Sequence, residues 1–396
     1  MKKLIFGLYL LLCVFLVNAQ KIHETDKILD SMPIPNAKTE NFALYVPDSF
    51  DSNGLNPIVF VFEPMGRGEL GIQVFVEAAK TYGHIIVCSN SIKNGPYEKN
   101  FAMAERLFNY VFSKFNIDEN QIYLAGFSGG SRLASAIATL TNMPAGVIAC
   151  GAGFSASHAP STQKFEYVGI CGNADMNFTE MMSVRKYLQK LNYNNTLFTF
   201  DGDHRWPPQE QILKAFDWLT IEAHKKGLIE KSEKEIYNSY VSNLGFAEKA
   251  EANKNAIRAL EEYERVLATY KTFYALDSVS TKIEMLKKDD TYKNAKKSRE
   301  TAFEKENKYT GMFSSRFKEG FDNPKKANIA WWKKQLEKID KEKDSANAEF
   351  DKMVARLRYK IYAMAYEKMI FARPQATQEQ VAFCKEICKL IYPNFQ

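Results

Sequence analysis

Histidine is scarce in this chain of 396 residues, with five in all. Few side chains can therefore serve as a general base near neutral pH. Beyond the first nineteen residues no apolar run approaches the roughly 20 residues of a membrane-spanning helix. There is no glycine-rich phosphate loop, no dinucleotide-binding fingerprint and no His/Cys cluster at metal-ligand spacing, so neither cofactor nor metal is expected. Proline almost disappears in the second half: of 13, only Pro324, Pro374 and Pro393 follow residue 225. A proline-poor stretch of this length reads as helix.

The first nineteen residues read as a signal peptide. Lys2 and Lys3 precede a 14-residue apolar run, Leu4 to Val17, and Val17-Asn18-Ala19 offers small residues for cleavage. An uncleaved anchor is the alternative. Leu12 before Cys13 does not suit lipid attachment, so the expectation is a secreted or periplasmic chain with no transmembrane segment after signal removal. Cleavage leaves Cys88, Cys150, Cys171, Cys384 and Cys388, an odd number that excludes full pairing within one chain. The first three sit in apolar, strand-like runs where cysteine behaves as a small hydrophobe. Cys384 and Cys388, at i and i+4 of a helical pattern, suit neither a bridge nor a zinc site.

The formal charge of +6 is unevenly placed. Residues 20–225 carry 17 Lys and Arg against 21 Asp and Glu, a net of −4, whereas residues 226–396 carry 34 against 26, a net of +8. Two compositions predict two domains, at 20–225 and 226–396. In the first, apolar runs alternate with amphipathic stretches. Strands are expected at Phe42–Val46, Ile58–Phe62, His84–Cys88, Ile122–Gly126, Val147–Cys150, Tyr167–Cys171 and Leu197–Phe200. Helices are expected at Gly71–Thr81, Glu98–Phe115, Gly130–Thr141, Thr179–Leu191 and Gln209–Glu222. Runs such as Ile58-Val59-Phe60-Val61-Phe62 are apolar throughout, as strands buried on both faces of a parallel sheet are. The fold class is α/β, a doubly wound and mostly parallel sheet.

The second segment reads as an all-α, charged helical domain. Ala256–Leu267, Ala355–Ile370 and Gln378–Leu390 are amphipathic at helical spacing. Helix pairs of this kind are similar to tetratricopeptide hairpins, although no sustained 34-residue period is present. The stretch Lys287–Lys308 reads as either a solvated helix or a mobile connector. Lysines interleave with acidic residues instead of gathering on one face, which excludes a nucleic-acid surface. Trp331-Trp332 is either a helix-packing anchor or a contact for a sugar or a partner protein.

The chemistry concentrates at Ile122–Ser131, where a buried strand runs into Gly126-Phe127-Ser128-Gly129-Gly130 and then a helix. This is the context of a nucleophile elbow, with Ser128 at the tip of a sharp turn. A serine hydroxyl needs a base, and the base an orienting acid, here expected in the order Ser, acid, His. Asp175 follows the strand Tyr167–Cys171, and His204 follows the next strand; both fall at strand ends, where open α/β sheets place their sites. Asp201 and Asp203 are the competing acids. His158 precedes Asp175 and breaks the order, while His23, His84 and His224 read as surface or packing residues.

Gly126-Phe127-Ser128-Gly129-Gly130-Ser131-Arg132-Leu133-Ala134 resembles the elbow of the α/β-hydrolase esterases grouped with polyhydroxybutyrate depolymerases and feruloyl or acetylxylan esterases. Asp203-His204-Arg205-Trp206-Pro207 is similar to the Gly-His-x-Trp-Pro signature around their histidine, with Asp203 in place of glycine, and Asn173-Ala174-Asp175 is in keeping with their acid loop. The resemblance covers residues 40–225. It implies a compact serine esterase without a large lid that acts on carboxylic esters, small-molecule or polysaccharide-linked, by an acyl-enzyme route through Ser128, Asp175 and His204. Where the family often has His-Gly this sequence has Glu63-Pro64-Met65-Gly66, which by position offers the Met65 N–H beside that of Gly129 as oxyanion donors. Trp206 either lines the substrate pocket or packs in the core. A serine peptidase on the same fold and a non-catalytic scaffold whose helices recruit a protein partner are the rival readings. The helical domain is expected to bind a partner or to shape substrate access.

Overall fold

The computed structural model describes residues 24–160, 165–344, 347–371 and 376–395; the signal-peptide expectation, with Cys13 and His23, lies outside them. An eight-stranded sheet forms from β1 (Ile28–Pro33), β2 (Asn41–Tyr45), β3 (Asn56–Phe62), β4 (Ile85–Ser89), β5 (Ile117–Phe127), β6 (Gly146–Cys150), β7 (Glu166–Gly172) and β8 (Asn195–Phe200). Their spatial order is β1-β2-β4-β3-β5-β6-β7-β8. Every neighbouring pair from β4 to β8 is parallel, whereas β1 and β2 add antiparallel.

Side chains of β3 explain why its sequence is apolar throughout. Ile58, Phe60 and Phe62 enter one core, and Val59 and Val61 enter the other. Helices α3 (Tyr97–Phe112), α4 (Gly129–Thr141) and α5 (Phe178–Lys190) cover the first face. Helices α1 (Gly68–Gln73), α2 (Val76–Tyr82) and α6 (Gln209–Lys225) cover the second. Two features depart from the sequence expectation. The edge strand β1 is half polar and was not anticipated; it pairs with β2 through a shift of register. The helix expected over 71–81 is two helices, with Val74 and Phe75 between them.

The second half is helical: α7 (Glu233–Ala252), α8 (Ala256–Tyr270), α9 (Asp277–Lys288), α10 (Asp290–Asp322), α11 (Ile329–Asp340), α12 (Ala348–Phe371) and α13 (Gln378–Ile391). Lengths run from 12 to 33 residues. One core joins α7, α8 and α9, and a second joins α10 to α13. The charged stretch after Lys287 is the end of α9 and the first half of α10, and it starts on an Asp289 cap. Trp332 is buried in the second core with Trp331 set edge-on beside it, so this pair is a packing anchor. All five described cysteines are buried and unpaired. Among the described residues no helix is long and apolar enough to cross a membrane.

Buried polar knots fasten the halves. Asp217 of α6 accepts from Ser239 and Asn243 of α7, each at 2.7 Å. Lys214 of α6 donates to Glu262 of α8 at 2.6 Å, and Arg265 of α8 reaches Thr196 Oγ1 and Leu197 O of β8, each at 2.8 Å. Apolar residues alone would leave the ends of β8 and α6 without these partners.

His84 precedes β4 and packs between Tyr123 and Phe216. Burial pushes its imidazole down to about 4, against about 6.5 in an unfolded chain. Between these values the unfolded chain takes up a proton that the folded one refuses, so stability is full above about pH 6.5 and falls toward pH 4. This one group should remove ~3 kcal/mol over that interval. Urea titrations at both pH values should therefore show a larger acid loss for the wild type than for His84→Gln. Equal losses would contradict the assignment.

Candidate active site

The turn after β5 is built by glycines that admit no side chain. A Cβ on Gly130 would come within 1.9 Å of Phe62 O, and one on Gly126 within 2.4 Å of the Gly130 carbonyl. This close approach leaves Ser128 at φ 52° and ψ −120°, a left-handed conformation unusual for a residue with a side chain. The turn is held from below by Ser128 N–H donating to Cys150 O at 2.9 Å. Helix α4 starts at Gly129, so the first N–H groups of the helix stand beside the Ser128 hydroxyl. Ser131 and Arg132 anchor that start: Ser131 Oγ donates to Ala152 O at 2.6 Å, and Arg132 pairs with Glu180 through two nitrogens.

Strands β7 and β8 end in register, at Gly172 and Phe200. Their loops are stitched together by Asn173 N–H to Phe200 O and Ala174 N–H to Gly202 O, both 2.9 Å. The stitching delivers Asp175 and His204 to one point. Asp175 is fully buried, and both its oxygens lie 2.9 Å from His204 Nδ1. One of them also accepts from Asn177 N–H at 2.8 Å. Facing a carboxylate, Nδ1 carries the proton, which leaves Nε2 to accept from Ser128 Oγ at 3.0 Å. The structure thus brings Ser128, His204 and Asp175 into one relay. Asp201 and Asp203 are exposed and turned elsewhere, toward Asn173 and Arg258 and toward Arg205.

Two positions read from the sequence fall elsewhere. The Met65 N–H is not free to serve an oxyanion, because it donates to the buried Glu63 carboxylate at 2.7 Å. That carboxylate also binds the Arg67 N–H and guanidinium, which closes the 63–67 turn on itself. The side chain that does stand beside Gly129 is Asn94, whose amide fills the space a Gly129 Cβ would take. Its own N–H is fixed by Pro64 O at 2.8 Å. Trp206 does not line the cavity. It packs edge-on against Phe75 and tilted against Phe127, and Phe127 in turn lies against the His204 ring at 4.7 Å. Trp206 thus packs behind Phe127, which lies against the histidine.

A cavity of about 620 Å³ opens in front of Ser128. Lys93 to Tyr97, after β4, form one wall. The opposite wall comes from α12 of the helical half, through Lys360, Ala363, Met364 and Glu367. These four are spaced i, i+3, i+4 and i+7, one face of a helix. The other face, with Met353, Leu357, Ile361 and Ala365, belongs to the helical core. Tyr359 sets its ring 5.4 Å from that of His204. Burial raises the Glu367 carboxyl above the usual range, and the positive charge of Arg132 opposes it. The amphipathic pattern over 355–370 marks the face that joins the helical core, and nothing in it marks the opposite face as cavity lining.

The strand order, the sharp turn and the loops at the strand ends are those of the α/β-hydrolase fold. No protein-family model and no curated protein sequence matches this chain. Among solved structures it is similar to the fluorophosphonate-binding serine hydrolase FphF of Staphylococcus aureus, at 14% identity and a TM-score of 0.41, over 49% of this chain and 97% of that one. It is also similar to the S-formylglutathione hydrolase FrmB of Staphylococcus aureus, at 15% identity and 0.41, over 50% of this chain and 98% of the other. A ferulic acid esterase gives 17% identity and 0.39, over 48% and 94%. Each spans about half of this chain. At these scores the likeness adds nothing to the geometry of the site.

Proposed function

We propose that the chain hydrolyses carboxylic esters through an acyl-enzyme formed on Ser128. The relay from Ser128 Oγ through the His204 imidazole to the buried Asp175 carboxylate, at 3.0 and 2.9 Å, carries this reading. Ser128 Oγ attacks the carbonyl carbon while its proton passes to His204 Nε2. The tetrahedral intermediate expels the alcohol, which leaves with that proton. Water then gives a proton to Nε2 and adds to the acyl carbon. Ser128 departs from the second intermediate, retrieves the proton and releases a carboxylic acid. Asp175 keeps the imidazole in the productive tautomer and stabilises its charged form.

The oxyanion meets the Gly129 N–H at the start of α4, where the helix dipole also favours negative charge. We assign the second donor to the Nδ2 of Asn94, whose side chain lines the cavity beside Gly129, in place of the main-chain N–H expected at Met65. The cavity suits an ester of small-molecule size, or the end of a larger molecule, held between the loop after β4 and α12. The enzyme works after export, once residues 1–19 have been removed.

A fluorophosphonate should label the wild type at Ser128, and Ser128→Ala should abolish both labelling and turnover of aryl acetates, with a fall in kcat on the order of 10⁴–10⁶-fold. A folded wild type that neither labels nor turns over any ester contradicts the reading. Replacing Asn94 by Ala should lower kcat by ~10²–10³-fold with little change in KM. Steady-state kinetics on one aryl ester measures this, and an unchanged kcat would return the oxyanion contact to the main chain.

A further inference from the structure

Arg356 lies on α12 with no exposed side-chain surface. Its Nε donates to Glu306 Oε2 of α10 at 2.7 Å, and its Nη1 donates to the main-chain oxygen of Asn173 at 2.7 Å. The guanidinium also faces the rings of Phe178 and Phe303, 5.6 and 5.4 Å away. Asn173 and Phe178 bracket the acid of the relay. Asn173 precedes Asp175 by two residues, and Phe178 N–H donates to Asp175 O at 2.9 Å. One side chain from the helical half therefore grips the acid-bearing turn at both ends.

Glu306 shares the burial, and Lys360 stands 3.8 Å from it. Two apolar residues of similar volume would hold α10 against α12 at least as well as a buried ion pair does. They could not donate to Asn173 O. What the charged pair adds is direction: Glu306 aims the guanidinium, and the guanidinium fixes a carbonyl beside Asp175. The planar fork of arginine suits this double contact, since two of its nitrogens point to different partners without a change of conformer.

We infer that Arg356 is a positioning residue for the active site, fixing the 173–178 turn so that the Asp175 carboxylate stays aligned with His204, and that the helical half is thereby a working part of the catalytic centre. This rests on the serine-hydrolase reading above. Arg356 touches neither substrate nor reacting atoms. It acts on kcat through the alignment of the base, and misplacements of about 1 Å in such a relay cost up to ~10²-fold.

The decisive variant is the double replacement Glu306→Leu with Arg356→Met, which removes both fully buried charges together and leaves only the partly exposed Lys360 without its carboxylate. It should unfold at nearly the wild-type temperature, yet turn over aryl acetates with kcat lower by ~10–10²-fold, KM within about twofold, and slower fluorophosphonate labelling of Ser128. Glu306→Gln keeps an acceptor for Nε and the Asn173 contact, and should retain most of kcat. If the double variant fails to fold, Arg356→Lys gives the same reading, because one ammonium cannot serve Glu306 and Asn173 in the same geometry. A folded double variant with wild-type kcat, or an Arg356→Lys variant with wild-type kcat, overturns the inference. In either case wild-type turnover and Ser128 labelling still stand, so the failure is separate from a failure of the esterase reading.

Discussion

A carboxylate withdrawn wholly from water is tolerated only when donors meet it on its accessible sides. Asp175 is such a group, and much of this molecule is arranged around it. The Asn177 N–H and the His204 Nδ1 proton answer its oxygens. For His204 to arrive there, β7 and β8 must end in register and their loops must run side by side. Gly172 permits this, since a Cβ there would come within 2.3 Å of Gly202 O. Once the imidazole is held, its far nitrogen is free to meet a hydroxyl, and the strained turn after β5 presents one. The cavity, the helix start behind Ser128 and the rings of Phe127 and Tyr359 beside His204 are then laid out around a point that the acid defines.

The parts legible in the sequence are those governed by local rules. A central strand buried on both faces is apolar without interruption, so Ile58–Phe62 and its neighbours could be read directly. The glycines of 126–130 mark a close approach of strand and helix, and Ser128 between them marks the tip. Asp175 and His204 were legible because strand ends are where such sheets carry side chains into a site. The edge strand β1 escaped because it has solvent on one side and shows no apolar pattern. Met65 was misplaced because Glu63 captures its N–H within a five-residue turn, a contact that position along the chain does not disclose. Trp206 had two readings, and Phe75 and Phe127 claim it for packing.

The contribution of the helical half was the least legible, for a physical reason. The pattern over 355–370 reads as an ordinary amphipathic helix, and it does not show that the face turned away from the helical core lines a cavity. A signal was present in the residues themselves. Arg356 falls among Met353, Val354 and Leu357, and Glu306 falls on the stripe of Ala302, Phe313 and Phe317. A charge on an apolar stripe asks for a partner, and here each is the other's. The division of charge follows the same logic. Cations of the basic half reach into the acidic one, Arg258 toward Asp201 and Arg356 toward the turn around Asp175. The traffic is not one-way, since the buried Lys214–Glu262 pair carries a cation of the acidic half to an anion of the basic one.

The most direct test of the account is covalent. Turnover of an aryl acetate by the full chain, quenched with acid at the start of the steady state, should leave one acetyl group on the peptide that contains Ser128, detected by mass spectrometry. Acylation at that serine, in a yield that rises with substrate toward one group per chain, is the predicted result. An unmodified Ser128 peptide from protein that is visibly turning over ester would contradict the account at its centre.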